Sequence, residues 1–149
     1  MLSKTVEYAL RAVMHLASLP DDRSASSSAV AAATHVPQGY LSKVLRDLVV
    51  AGLVASQRGP HGGFSLARPP RDISILDVIN AVDPIPRIER CPLGNPDHSE
   101  LCPLHRRLDD ALAAFENEFR CLALQDVLDM TIDPAQCAGA ATPPPKSAP

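Results

Sequence analysis

Val6, Ala9, Leu10, Val13, Met14 and Ala17 recur at i, i+3, i+4, i+7, i+8 and i+11, which predicts one amphipathic helix ending before Pro20. The following SSSAVAAAT reads as an N-cap and a short helix, with Ala29, Ala32 and Ala33 small enough for close packing, halted at His35-Val36-Pro37. Pro37 suits the start of a further helix, in which Leu41, Val44, Leu45, Leu48 and Val49 form a second stripe closed by Gly52. The pattern predicts helix, tight turn, helix. Two strand-like runs, Leu53–Ser56 and Phe64–Ala67, then flank the turn QRGPHGG. Ser74 caps a helix over Ile75–Val82, with Leu76, Ile79 and Val82 expected inside. From Leu101, the apolar positions Leu104, Leu108, Leu112, Phe115, Phe119 and Leu122 advance in steps of three and four, a long helix with a narrow seam. Such a seam pairs with another helix.

The predicted fold class is mainly α with a small β-hairpin wing: a winged helix-turn-helix plus a long dimerisation helix. Four segments follow: the winged helix-turn-helix with helix one over 1–83, a cysteine-containing effector loop over 84–102, the dimerisation helix and a short C-terminal helix over 103–131, and a Pro-rich disordered tail over 132–149.

At 149 residues, 46% hydrophobic and 21% charged, the chain suits one globular domain without a disulfide scaffold. Aromatic residues at 3%, with no Trp, leave few rings for stacking on single-stranded nucleic acid. The apolar runs are short, and Lys4, Glu7, Arg11 and His15 interrupt the N-terminal segment, so a cytoplasmic chain without a membrane partner is expected. The net charge of -3 conceals an asymmetry. Residues 1–70 hold seven Lys and Arg against four acids, and 37–71 alone hold five cations and one acid. A basic face on an otherwise acidic chain points to phosphate.

With Leu41, Val44, Leu45 and Leu48 turned inward, Gln38, Tyr40, Ser42, Lys43 and Arg46 are left to point outward from the second helix of the pair, where base edges and phosphates are met. Arg58, with Gly59 and Gly62 behind it, suits a wing whose backbone approaches DNA and whose guanidinium enters a minor groove. The expected partner is double-stranded promoter DNA. An adaptor that kept the fold but lost DNA binding would not need Lys43, Arg46 and Arg58. An enzyme or metal-storage protein built on the cysteine loop would need a substrate pocket that no motif supplies.

Cys91-Pro92-Leu93-Gly94 and Cys102-Pro103-Leu104-His105 form a small internal repeat with His98 between them. Iron–sulfur iron takes thiolates, and imidazole can substitute. Three readings stay open: a bound cluster, a reversible Cys91/Cys102 thiol switch, and no redox role. Glu7 and Arg11 also read as an i, i+4 ion pair. Cys121 and Cys137 read as incidental, and four cysteines imply no disulfide in a cytosolic chain.

The run YLSKVLRDLVVAGLV followed by RGPHGGFSLARPP resembles the Rrf2 family of bacterial transcription regulators, and the similarity extends from Leu2 to about Met130. The resemblance implies a homodimer, working as a repressor, that binds palindromic promoter DNA with the second helix in the major groove and the wing at the minor groove. His61 stands at the wing's variable position. The family's cluster binders carry three cysteines in the loop; Cys91 and Cys102 match the first and last, His105 matches a histidine found three residues further on, and the middle cysteine is absent. In some relatives an acidic residue on helix one of the partner subunit is a ligand, and Glu7 aligns with it. The resemblance thus implies a 2Fe-2S cluster held by Cys91, Cys102, His105 and Glu7 of the second copy.

Overall fold

Ser3 accepts a hydrogen bond from the Val6 amide and so opens α1 (Lys4–Ala17), capping one of the amides a helix start leaves without a partner. The computed structural model describes residues 2–21, 23–91 and 100–130; the expected tail over 132–149, with Cys137, and His98 lie outside them. Val6, Ala9, Ala12, Val13 and Leu16 form the buried face of α1, while Leu10, Met14 and Ala17 sit half-buried at its edges. That face packs against α2 (Ser27–Thr34), α3 (Gln38–Val50) and α4 (Ile75–Val82).

In α2, Val30 and Thr34 are buried and Ala29, Ala32 and Ala33 are exposed, which corrects the expected packing face. The longest apolar side chain sets the helix's rotation, and the alanines follow it outward. His35, at φ 55°, carries the left-handed turn into Pro37, the N-cap of α3. At the far end, Gly52 at φ +72° donates to Val49 O and Leu53 donates to Leu48 O, both at 3.0 Å. These two bonds make a Schellman motif, with the paired apolar residues Leu48 and Leu53 both buried.

The turn feeds directly into β1 (Val54–Gln57), which pairs antiparallel with β2 (Gly63–Leu66), one residue later than the expected start of β1 and one earlier than that of β2. Phe64 also exchanges two backbone hydrogen bonds with Ala25, at 2.8 and 2.9 Å, so the loop before α2 lies against the hairpin. A Cβ on Gly63 would stand 2.6 Å from Ala25 O, and only glycine permits that approach.

A 3-10 turn over Pro70–Asp72 leads to Ser74, whose side chain accepts from the Asp77 amide while Asp77 accepts from the Ser74 amide, a capping box that starts α4. Ile75, Leu76, Val78 and Ile79 are buried there; Val82, expected inside, is half-buried. The long α5 (Pro103–Cys121) has no fully buried residue. Its chain nevertheless returns to the body: Leu124 N donates to Ile73 O and Ile75 N to Leu122 O, both 2.9 Å, before α6 (Leu124–Asp129). Leu124 is completely buried in the same core as Leu41, Leu45 and Ile79, worth about 1.5–3 kcal/mol by area. The C-terminal end of α5 is thereby tied to the winged half. Among the described residues, no helix is long and apolar enough to cross a membrane.

Candidate functional site

On α3, Gln38, Tyr40, Ser42, Lys43 and Arg46 are exposed, while Leu41, Val44, Leu45 and Leu48 anchor the opposite face in the core. Ser42 Oγ donates to Gln38 O at 3.0 Å, and the Tyr40 ring lies tilted against Tyr8 of α1 with centroids 6.0 Å apart. Arg46 is 73% exposed and only loosely paired, 3.9 Å from Asp47. Among the described residues, Lys43 and Arg58 have no acidic partner within 4.0 Å. At the wing, Arg58 and Gly59 are exposed and Gly62 is half-buried. Gly59 has φ +113°, open only to glycine, and Ser24 Oγ holds the tip by donating to His61 O at 3.1 Å. The Gly52 turn joins the helix to the wing, and Leu53 and Val54 share the core that holds Leu41, Leu45 and Leu48.

Cys91, Cys102 and His105 come together. Their ligand atoms all lie within 4.8 Å of one another, with His105 Nδ1 3.1 Å from Cys102 Sγ and 3.7 Å from Cys91 Sγ. Cys102 is the N-cap of α5 and His105 stands one turn in; the Cys102 sulfur makes no capping bond and is directed to the imidazole instead. All three side chains are half-buried. Glu7 is outside this group within one chain, where it forms an i, i+4 ion pair with Arg11. Cys121 is exposed near the end of α5.

The segment leading to Cys91 is held against α5 by a clamp that sequence periodicity does not reveal. Arg87 donates to both carboxylate oxygens of Asp109, at 2.7 and 2.6 Å, and to Glu116 at 3.2 Å, while the Ile88 amide donates to Asp109 at 2.9 Å. Arg87 lies four residues before Cys91 and Asp109 four residues after His105, so the fork fixes the two arms of the cysteine–histidine group one turn away from it. The bidentate hydrogen bonds from Arg87, then the bond from Ile88, lower the Asp109 pKa from 3.8 to about 2, and raise that of Arg87. A carboxylate with a depressed folded pKa contributes stability above its unfolded value and loses it as pH falls through the folded one. The stability gap between wild type and Asp109→Asn should therefore be full near neutral pH and shrink between about pH 4 and pH 2. Chemical denaturation followed by circular dichroism measures it, and a gap independent of pH would show that the clamp is not carried by the carboxylate's charge.

The α5 seam divides. Phe115, Phe119 and Leu122 pack partly on the protein's own core, with the two rings 4.7 Å apart, whereas Leu104 is 65% and Leu108 47% exposed. Leu108, Leu112 and Phe115 form one wall of an apolar groove of about 590 Å³, and Leu2, Val6 and Ile85 face them.

The sequence matches the model of a family described as Rrf2, iron-dependent transcriptional regulator, over residues 2–130. It is 32% identical over 134 residues, 87% of this chain and 92% of the other, to an Aquifex aeolicus (strain VF5) protein carrying the description of an HTH-type transcriptional regulator. Among solved structures, the T. potens protein IscR aligns with a TM-score of 0.72 at 25% identity, covering 96% of this chain and 93% of that one. CymR (YrzC), the global cysteine regulator of B. subtilis, has the same fold, with a TM-score of 0.70 at 24% identity over 85% of this chain and 95% of its own.

Proposed function

Because the chain belongs to the Rrf2 family of transcriptional regulators, we propose that it works as a homodimeric repressor of promoter DNA whose affinity is set by the Cys91, Cys102 and His105 group. It is a DNA-binding regulator of the winged-helix type and not an enzyme. The rest is carried by one observation: a three-donor group sits at the start of the helix that presents the exposed apolar row. Segment 1–83 reads the operator, 84–102 carries the effector site, and 103–131 pairs the copies. Gln38, Tyr40, Ser42, Lys43 and Arg46 meet the major groove, and Arg58, Gly59 and Gly62 the minor groove. A change at the group alters how α5 leaves the body, and so the spacing of two α3 helices over half-sites about 34–36 Å apart.

Two changes of state suit the donors. One is gain or loss of a metal group; the sequence expectation of a 2Fe-2S cluster draws its fourth ligand from Glu7 of a second copy. The other is oxidation, in which peroxide accepts two electrons and both thiol protons, leaving a Cys91–Cys102 disulfide and two waters. The sulfurs lie within 4.8 Å, and small movements would bring them to the bonding distance of about 2.05 Å. A duplex selected from a random pool, read by fluorescence anisotropy, tests the proposal. DNA affinity should change on peroxide or metal treatment and become insensitive to both in Cys91→Ser. An affinity unaffected by either treatment would remove the effector role and leave the DNA-binding role standing.

A further inference from the structure

The spacing of the three donors says what the site takes. Ligands held tetrahedrally about 2.0–2.3 Å from one ion stand roughly 3.5–3.8 Å from each other, with a nitrogen–sulfur pair at the lower end. The two nitrogen–sulfur separations here, 3.1 and 3.7 Å, bracket that value, and all three atoms fall within 4.8 Å. In a 2Fe-2S cluster each iron takes two outer ligands, so three protein donors must be divided between two irons, and donors on opposite irons stand farther apart than donors on one. Drawn into a single knot, Cys91, Cys102 and His105 do not match that division. We infer that Cys91, Cys102 and His105 form the three-ligand half of a mononuclear divalent-metal site, with zinc preferred and the fourth position left to water or a carboxylate.

The donor chemistry selects the ion. Two thiolates and one imidazole are borderline-soft ligands suited to zinc, and zinc stands above ferrous iron in the general order of divalent affinities. Three protein ligands with one open position is also the arrangement that keeps a zinc ion exchangeable toward an incoming ligand. The scaffold is ready for it: Cys102 and His105 are one turn apart at the start of a 19-residue helix, and Cys91 is brought to them by the Arg87–Asp109 fork. The inference rests on the proposed effector role of the group for its biological meaning, but not for its chemistry.

Anaerobic titration of the full chain with cobalt(II), followed by competition with zinc and then with ferrous iron, tests it. Binding of one cobalt per chain is expected, with the intense visible bands of a tetrahedral thiolate site, displaced by zinc and not by an equal concentration of ferrous iron. Loss of a hydrogen-bonding partner behind a ligand already costs about 10–100-fold in affinity, so Cys91→Ala, Cys102→Ala and His105→Ala should each weaken cobalt binding by at least about 100-fold. Cys121→Ala should leave it unchanged, and circular dichroism of each variant separates lost ligation from lost folding. Two irons and two sulfides per site after reconstitution, or no cobalt bound by folded wild type, would overturn the mononuclear site while leaving an effector role intact. One cobalt per chain with DNA affinity unaltered by metal would instead keep the site and remove the metal-dependent arm of the proposed function.

Discussion

Leu108→Asp is expected to leave each chain folded but unable to pair, converting a dimer at micromolar concentration into a monomer that no longer holds an operator. Leu108 is 47% exposed in the single chain, so a carboxylate there is hydrated and costs the monomer little. In a two-fold interface the same position is met twice. Burying a large aliphatic side chain contributes about 1.5–3 kcal/mol, so two copies contribute about 3–6 kcal/mol, or roughly 10²–10⁴-fold in association. Desolvating the new carboxylates adds to that. Light scattering together with DNA binding measures both effects. A wild-type chain that is monomeric at micromolar concentration, or a Leu108→Asp chain that still dimerises, would rule out α5 as the pairing helix. Leu108 is a sharper probe than Phe115 or Phe119, because those rings also pack on the chain's own core and their loss would confound folding with pairing.

The features legible in the sequence were those written into local chemistry. Ser74 before an apolar run specified a helix start, Gly52 after an apolar stripe specified a left-handed helix end, and QRGPHGG specified a hairpin in which Gly63 is fixed by close backbone approach at Ala25. The α2 face differs from the expected one because alanine carries too little hydrophobic weight to set a helix's rotation; Val30 and Thr34 are the residues turned inward. The burial of Leu124 in the main core is not legible in the sequence, since nothing local tells a returning chain from a departing one. Its backbone pairing to Ile73 is 51 positions distant. The Arg87 fork was missed for the same reason: its partners lie 22 and 29 residues away, and a charged residue in a Pro-rich loop looks solvated until the fold places Asp109 beside it. The Cys91, Cys102 and His105 combination was visible as a repeated Cys-Pro-Leu, but its compactness was not, because an eleven-residue spacing sets no distance.

Arg58→Ala and Lys43→Ala should separate the two ways this protein would hold DNA. Both cations are exposed and, among the described residues, without an acidic partner, so neither substitution should disturb folding. Lys43 stands on the outward face of α3 as a compact, strongly hydrated charge suited to phosphate. Its loss should weaken binding to selected and random duplexes alike and reduce the slope of log affinity against log salt by about 1 per copy. Arg58 stands in the turn of a wing held by Ser24 and Gly63, where a guanidinium placed in a narrow minor groove reads width as well as charge. Removing it should cost about 1–3 kcal/mol, roughly 5–150-fold, on the selected operator, and proportionally less on random duplex. The two sites lie on different elements, so the double variant should show close to the sum of the separate losses. Anisotropy titrations across a salt series, with both duplexes, measure all of this. Equal losses on operator and random DNA for Arg58→Ala would demote the wing to a phosphate contact, and indifference to both substitutions in a folded dimer would mean that this face does not meet DNA.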